Sequence, residues 1–324
     1  MKLRGGHMKT RTFGSLWPVS ALTLGGGGIG QVWGATTRDE AIATTREAVE
    51  AGITMLDVAP LYGQGEAESV IGATFGGKLP QGVRISTKCR LENLPASEIA
   101  AALETSLRES FDRLKLEYVD VLFLHSQTIP DGAEDQYQGT PFGVFREAVV
   151  PAFLKLRERG LIGAWGMSAI GLPSILIQAI EGDPAPQAVQ AIANCLDSPG
   201  GLKRFDEPAR PRDIISAAGR KGAAVMGIRA VQAGALTDAL DRPLAEDHPE
   251  VADFNRAAPF RAIAKEIGES AAALAHRYSL SMQDVDTVVL GVKNRQELRE
   301  CVEAEARGPL DAELIQRIDQ AVGR

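Results

Sequence analysis

The sequence predicts an α/β fold: a single (β/α)8 TIM barrel over residues 1–324, with a short N-terminal β-hairpin and an extra C-terminal helix. Three observations carry that expectation. Short apolar β-type runs alternate with longer helical patterns in eight strand-helix units. Parallel strands need crossovers of this kind, and right-handed crossovers close into a barrel. No composition break divides the chain, and 324 residues lie within the range of one barrel. The two longest loops, 126–141 and 235–253, both follow strands, which in a barrel puts them on the C-terminal face where active sites sit. A doubly wound open sheet is the competitor, but it usually needs fewer units per domain.

The elements follow in order. Gly5-Gly6-His7-Met8 reads as a cloning remnant, with Met8 the natural start and the residues before it without order. The cations Lys2, Arg4, Lys9 and Arg11 before the apolar stretch Phe13–Leu24 mimic a signal peptide. Pro18 interrupts that stretch and no small-residue cleavage pattern follows, so a hairpin leading into strand Ala21–Gly25 fits better. Helix Arg38–Ala51 takes Thr37 as its N-cap. Strand Thr54–Val58 precedes helix Glu66–Phe75, strand Arg84–Lys88 precedes helix Ala96–Leu114, and strand Val119–His125 leads through a polar loop to helix Gly143–Arg159. Strand Ile162–Ser168 precedes helix Leu172–Glu181, and strand Ala188–Asn194 precedes helix Pro211–Lys221. Strand Ala223–Ile228 leads through an Asp- and Pro-rich loop to one helical region, Phe254–Leu280. Strand Thr287–Val292, helix Arg295–Ala306 and a last helix, Asp311–Val322, complete the series.

Composition narrows the function. Thirty-five Lys plus Arg against 42 Asp plus Glu give a net charge of −7, without the basic clusters of a nucleic-acid binder. No apolar run approaches the roughly 20 residues of a membrane span. Three scattered cysteines, Cys89, Cys195 and Cys301, suit a reducing cytoplasm. No His, Cys or carboxylate cluster has metal-ligand spacing, so no metal is expected. His276, in an Ala-rich helix, and His248, in an acidic loop, read as packing or solvated residues.

Gly25-Gly26-Gly27-Gly28-Ile29-Gly30 matches the dinucleotide fingerprint G-x-G-x-x-G after a strand. The context fails, because the helix starts only near Arg38. The run reads instead as a flexible loop allowing close backbone approach, or as a plain turn.

The strand ends are more telling. The second strand ends in Asp57-Val58-Ala59-Pro60-Leu61-Tyr62-Gly63, the third in Ser86-Thr87-Lys88, the fourth in Leu124-His125. Side chains alternate, so Met55 shares a face with Asp57, Arg84 and Ser86 share one with Lys88, and Val121 and Phe123 share one with His125. A charge at the end of an apolar strand is costly to bury unless paired, and Asp57 and Lys88 on neighbouring strands are natural partners. Singly, each residue has a structural explanation: a turn aspartate, a solvated lysine, a core histidine, a packing tyrosine. At consecutive strand ends the four are better explained by a site.

Asp57–Gly72, DVAPLYGQGEAESVIG, resembles the signature of the aldo-keto reductase family, and Lys88 in STK and His125 in FLH sit where that family carries its remaining catalytic residues. The similarity continues in GLIGAWGMS (Gly160–Ser168), Gln190-x-x-x-Asn194, Gly234-x-Leu236, and Gly291-x-Lys293 with Leu298 and Glu300. The resemblance implies a barrel that binds a nicotinamide dinucleotide without a Rossmann domain. It implies an NAD(P)-dependent oxidoreductase that reduces aldehydes or ketones to alcohols, or oxidises an alcohol or sugar in reverse. Tyr62 would be the general acid, Lys88 would lower its pKa, Asp57 would hold Lys88 charged, and His125 would orient the carbonyl oxygen.

The resemblance also assigns cofactor contacts. Gly28 and Ile29 would lie near the nicotinamide, and Ser168 and Gln190 would meet its carboxamide. Arg229, Ala230, Val231 and Gly234 would line the diphosphate path. Gly291, Val292, Lys293, Glu297, Glu300 and Cys301 would surround the adenosine. Three positions depart from the family: Ala169 and Ala193 replace an Asn and an aromatic, and Ile228 replaces the ring-stacking aromatic. Trp33 would face the substrate or cap the barrel rim. Lys293 favours NADP(H), with NAD(H) open because Glu297 and Cys301 depart from the pattern; Arg295 is expected to neutralise Glu297. The partner is a small-molecule carbonyl or alcohol. The competing readings are a cofactor-binding regulatory protein of the same fold and a Schiff-base aldolase using Lys88.

Overall fold

The computed structural model describes residues 8–240 and 242–324. The expected remnant at residues 1–7, His7 included, lies outside the described residues. Strands Thr10–Arg11 and Val19–Ser20 form the expected antiparallel hairpin. Eight parallel strands then close a barrel in chain order: β1 Leu22–Gly25, β2 Met55–Asp57, β3 Arg84–Cys89, β4 Val119–Leu124, β5 Ile162–Ser168, β6 Ala188–Ile192, β7 Ala224–Ile228 and β8 Thr287–Leu290. Closure runs through β8 to β1, where Leu290 stands beside Leu24.

Alternation along the strands sorts the side chains into two cores. Met55, Val121, Phe123, Ala164, Ala188, Ala224 and Met226 fill the barrel interior, and Phe13 and Val19 of the hairpin region plug its N-terminal mouth. Leu56, Leu122, Leu124, Trp165 and Met167 point outward into the layer shared with the helices. Asp57, Ser86 and Lys88 continue the inward rows, which places three polar residues on top of an apolar stack.

The helices are α1 Arg38–Glu50, α2 Glu66–Phe75, α3 Ala96–Leu114, α4 Val150–Glu158, α5 Pro173–Glu181 and α6 Pro211–Arg220. Thr37 caps α1 by accepting from the Glu40 N–H. Before α4 the chain makes a helical turn, Phe142–Val144, and a π-helical turn, Phe145–Val149. Pro151 has no N–H, and the Val150 N–H reaches back to the Phe145 carbonyl.

Two expectations change here. The single helical region 254–280 is three helices, α7 Pro249–Arg256, α8 Ala258–Glu266 and α9 Ala271–Ser281. Pro259 and Gly268, the latter at φ 72°, impose the breaks, and Ser270 caps α9. The Gly25–Gly28 run is not an open loop: Gly26–Ile29 form one helical turn, fully buried. Helices α10 Arg295–Ala306 and α11 Ala312–Ala321 end the chain. No helix among the described residues is long and apolar enough to cross a membrane.

Candidate active site

A cavity of about 490 Å³ opens at the C-terminal ends of the strands. At one end Tyr62 and His125 stand edge to face, with ring centroids 5.9 Å apart. Asp57 forms the floor, and Lys88 lies behind it, 1% exposed. Lys88 Nζ donates to Asp57 Oδ2 at 2.8 Å and to the Val58 carbonyl at 2.9 Å, and sits 4.8 Å from the centre of the Tyr62 ring.

The second oxygen of Asp57 is also held. Ser86 Oγ and Gln190 Nε2 each donate to Oδ1 at 2.7 Å, and Ser168 Oγ lies 3.2 Å from Gln190 Oε1. Hydrogen bonds therefore link β5, β6, β2 and β3 across the top of the barrel. Ser86 was absent from the expected site, although it shares its face with Lys88 by simple alternation. Gln190 was expected, but as a cofactor contact rather than as a donor to Asp57.

These surroundings set protonation. Burial opposes the Lys88 charge, but Asp57 and Tyr62 outweigh it and hold the ammonium above its ordinary value. The neutral amine that an imine-forming aldolase needs is thus disfavoured. Burial raises the Tyr62 phenol above its usual pKa, Lys88 pulls it down and Asp57 pushes it up. Burial, with Lys88 and Arg90 nearby, lowers His125 to about 3, so its imidazole is neutral at physiological pH.

The rest of the cavity runs along the ends of β7 and β8. Ser168, Gln190, Ile228, Arg229, Ala230, Val231 and Gly234 line its middle, and Gly291, Val292, Lys293, Glu297, Glu300 and Cys301 its far wall. Gly28 and Ile29 do not reach it. Gly28 is pressed so tightly against β8 that a Cβ would lie 1.9 Å from the Val292 carbonyl, and Ile29 is buried in the outer core. Gly25, Gly26 and Gly27 line the cavity instead.

Trp33 lines the cavity close to the glycines: a Cβ on Gly27 would lie 2.4 Å from its Nε1, and one on Gly291 3.2 Å from its Cδ1. Arg295 turns away and binds Glu40 through two nitrogens, at 3.1 and 2.9 Å; Lys293, not Arg295, is the cation beside Glu297. Cys301 is buried beside His276, Sγ to Nε2 3.8 Å, and His276 lines the cavity, which its helical position did not reveal. Cys89 points into the outer core, as alternation requires.

A buried network not foreseen from the sequence holds the β7 loop. Arg229 takes φ 57°, Gln232 46° and Ala233 49°, a strained run for non-glycine residues. Arg229 Nη2 pairs with Glu250 Oε1 at 2.7 Å, Arg229 Nε donates to Gln232 Oε1 at 2.9 Å, and Gln232 Nε2 donates to Asp253 Oδ2 at 2.8 Å. Glu250 and Asp253 lie on α7, inside what the sequence presented as an acidic loop.

The family model for the aldo/keto reductase family matches residues 21–322. The chain belongs to the aldo-keto reductase family. This aldo-keto reductase is 28% identical over 309 residues to an L-galactose dehydrogenase of Arabidopsis thaliana, covering 93% of this chain and 90% of the relative. It is 32% identical over 135 residues to a methylglyoxal reductase of Escherichia coli, covering 41% and 40%. Its fold matches a glycerol dehydrogenase from Gluconobacter oxydans with a TM-score of 0.72 at 22% identity, covering 97% and 95% of the two chains. An aldo-keto reductase from Bacillus halodurans in its holo form matches equally, TM-score 0.72 at 23% identity, covering 97% and 96%. Its relatives are thus oxidoreductases.

Proposed function

We propose that this aldo-keto reductase interconverts a small carbonyl compound and its alcohol with a nicotinamide dinucleotide as hydride carrier. One observation carries the reading: a buried Asp57–Lys88 pair set beneath Tyr62, with His125 neutral beside it, at one end of a long cavity.

The cavity suits the dinucleotide. The Gly25–Gly27 backbone forms a smooth wall, cations line the middle and far parts, and about 490 Å³ is space for an extended ligand. Ser168 and Gln190 would meet the carboxamide; Arg229, Ala230, Val231 and Gly234 would follow the diphosphate; Lys293, Glu297, Glu300 and Cys301 would surround the adenosine. When bound, the dinucleotide supplies or accepts the hydride.

The side chains handle the proton and the developing charge. Tyr62 Oη donates its proton to the carbonyl oxygen as negative charge grows there. The Lys88 ammonium stabilises the phenolate left behind, since a nearby cation favours the charged form. Asp57 keeps that ammonium charged and fixed. Neutral His125 donates a ring N–H to the same oxygen, orienting it and sharing the charge. In the oxidising direction the phenolate takes the proton back.

Relatives named for L-galactose and methylglyoxal favour a short, oxygen-rich substrate. The test is a panel of aldehydes, ketones, sugars and polyols assayed with NAD(H) and NADP(H) in both directions. Turnover of one carbonyl–alcohol pair supports the reading. A protein that binds dinucleotide but turns over nothing on the panel would favour the regulatory reading.

A further inference from the structure

We infer that Glu297 makes the far end of the cavity select a dinucleotide with a free ribose diol, NAD(H), over one carrying a 2′-phosphate. The inference rests on the proposed dinucleotide-dependent reaction and reverses the preference that Lys293 alone suggested.

Geometry fixes which part of the ligand arrives there. The hydride must be exchanged beside Tyr62 and His125, so the nicotinamide occupies that end of the cavity. The dinucleotide then extends past the ends of β7 and β8, and its second ribose comes to the wall formed by Lys293, Glu297 and Glu300.

Lys293 is the cation that would greet a 2′-phosphate on that wall, and Glu297 holds it. Glu297 Oε2 accepts from the Lys293 backbone N–H at 2.8 Å, and Oε1 lies 3.4 Å from Lys293 Nζ and 3.3 Å from Asn294 Nδ2. Glu300 adds a second carboxylate to the same wall, accepting from Gln296 Nε2 at 3.3 Å. That wall thus carries one ammonium, paired with Glu297, and a second carboxylate, Glu300. A phosphate dianion entering there meets net repulsion, whereas ribose hydroxyls can donate to the carboxylate oxygens. The other cavity-lining cations are Arg229, at the end of β7, and Arg242, whose guanidinium lies 6.0 Å from the centre of the Trp33 ring. The neighbouring lining residues, His276 and Cys301, are buried, and burial disfavours charge on both. They offer a 2′-phosphate no compensating cation.

Glu297 also has a structural task, which shapes the experiment. It is the third residue of α10, whose N-cap Asn294 accepts from the Glu297 N–H at 2.9 Å. Gln serves this capping position as well as Glu, so Glu297→Gln removes the charge and keeps the cap. Affinities for NADH and NADPH are to be measured by isothermal titration calorimetry on the parent, on Glu297→Gln, and on Glu297→Gln combined with Lys293→Met.

The parent is expected to bind NADH at least about ten-fold more tightly than NADPH. Glu297→Gln should shrink that ratio by about ten-fold with an unchanged melting temperature, and adding Lys293→Met should restore it. Tighter binding of NADPH by the parent overturns the inference and leaves the proposed function standing. An unchanged ratio in Glu297→Gln reduces Glu297 to a helix cap and also overturns it. A gain that survives Lys293→Met removes Lys293 as the phosphate partner and supports selection by repulsion from Glu297 itself. Failure of the parent to bind either dinucleotide overturns the proposed function and this inference together.

Discussion

At the Tyr62 end of the cavity, Asp57, Ser86, Lys88, Ser168 and Gln190 sit on barrel strands, deeply buried, and hold one another through short hydrogen bonds. At the Lys293 end the polar groups come from a loop and the first turns of α10; the Lys293 and Glu297 side chains are 20% and 35% exposed. The difference is one of rigidity and dielectric. A charge that moves during reaction needs partners already in place and shielded from water. A group that only distinguishes two ligands can sit near solvent, because discrimination is a difference of affinities.

That comparison can be broken at its strong end first. Lys88→Met should lower turnover by at least about 10²-fold, since Tyr62 loses the cation that stabilises its phenolate. It also leaves a buried carboxylate without its ion-pair partner, and stability should fall by about 3–5 kcal/mol, read as a lower denaturation midpoint. Lost activity with an unchanged midpoint would mean that Asp57 is reached by water and that the pair is not structural.

Ser86→Ala removes one of two donors on Asp57 Oδ1. A hydrogen bond to a charged group is worth about 1.5–3 kcal/mol, so kcat should drop by about ten-fold or more with KM little changed. Ser86→Thr keeps the hydroxyl and should recover most of the loss. If the threonine variant is as impaired as the alanine variant, the hydroxyl is not what Asp57 needs.

The next effect is on pH. His125 is held neutral down to about 3 in the native protein, whereas an unfolded histidine takes up a proton near its usual 6.5. Between those values the unfolded state binds more protons, so stability falls as the pH drops from about 6.5 toward 3. The lowered pKa of buried His276 acts in the same sense. His125→Asn should flatten the slope of unfolding free energy against pH by up to about one proton in that window. An unaltered slope would mean that His125 protonates freely in the folded state.

The smallest effect is expected at the solvated end. Arg295→Ala loses an exposed pair with Glu40, which should leave the denaturation midpoint nearly unchanged, and dinucleotide selectivity should not move. A changed NADH-to-NADPH ratio in this variant would bring Arg295 back into the cofactor wall.

The legibility of the sequence follows the same divide. Strand alternation alone places Asp57, Lys88 and His125 at the mouth of one barrel, and it also implies Ser86, two residues from Lys88 on the same row. Helix breaks were harder to read, because the Ala-rich stretch around Pro259 and Gly268 keeps an apolar pattern across both. Direction outside the strands was not readable at all. The order Asn294-Arg295-Gln296-Glu297 marks a helix N-terminus, but nothing in it says that Glu297 turns toward Lys293 while Arg295 swings out to Glu40. The network of Arg229, Glu250 and Asp253 was hidden for a related reason: Pro249 opens α7 inside a segment whose composition reads as loop.

The assignment of Tyr62 as proton donor is tested most directly by Tyr62→Phe, measuring carbonyl turnover and dinucleotide affinity on the same preparation. The phenylalanine keeps the ring against His125 and removes only the hydroxyl. Turnover should fall by at least about 10²-fold while dinucleotide affinity stays at the parent value. Turnover near the parent rate would contradict the assignment and leave the buried Asp57–Lys88 pair without the role given to it here.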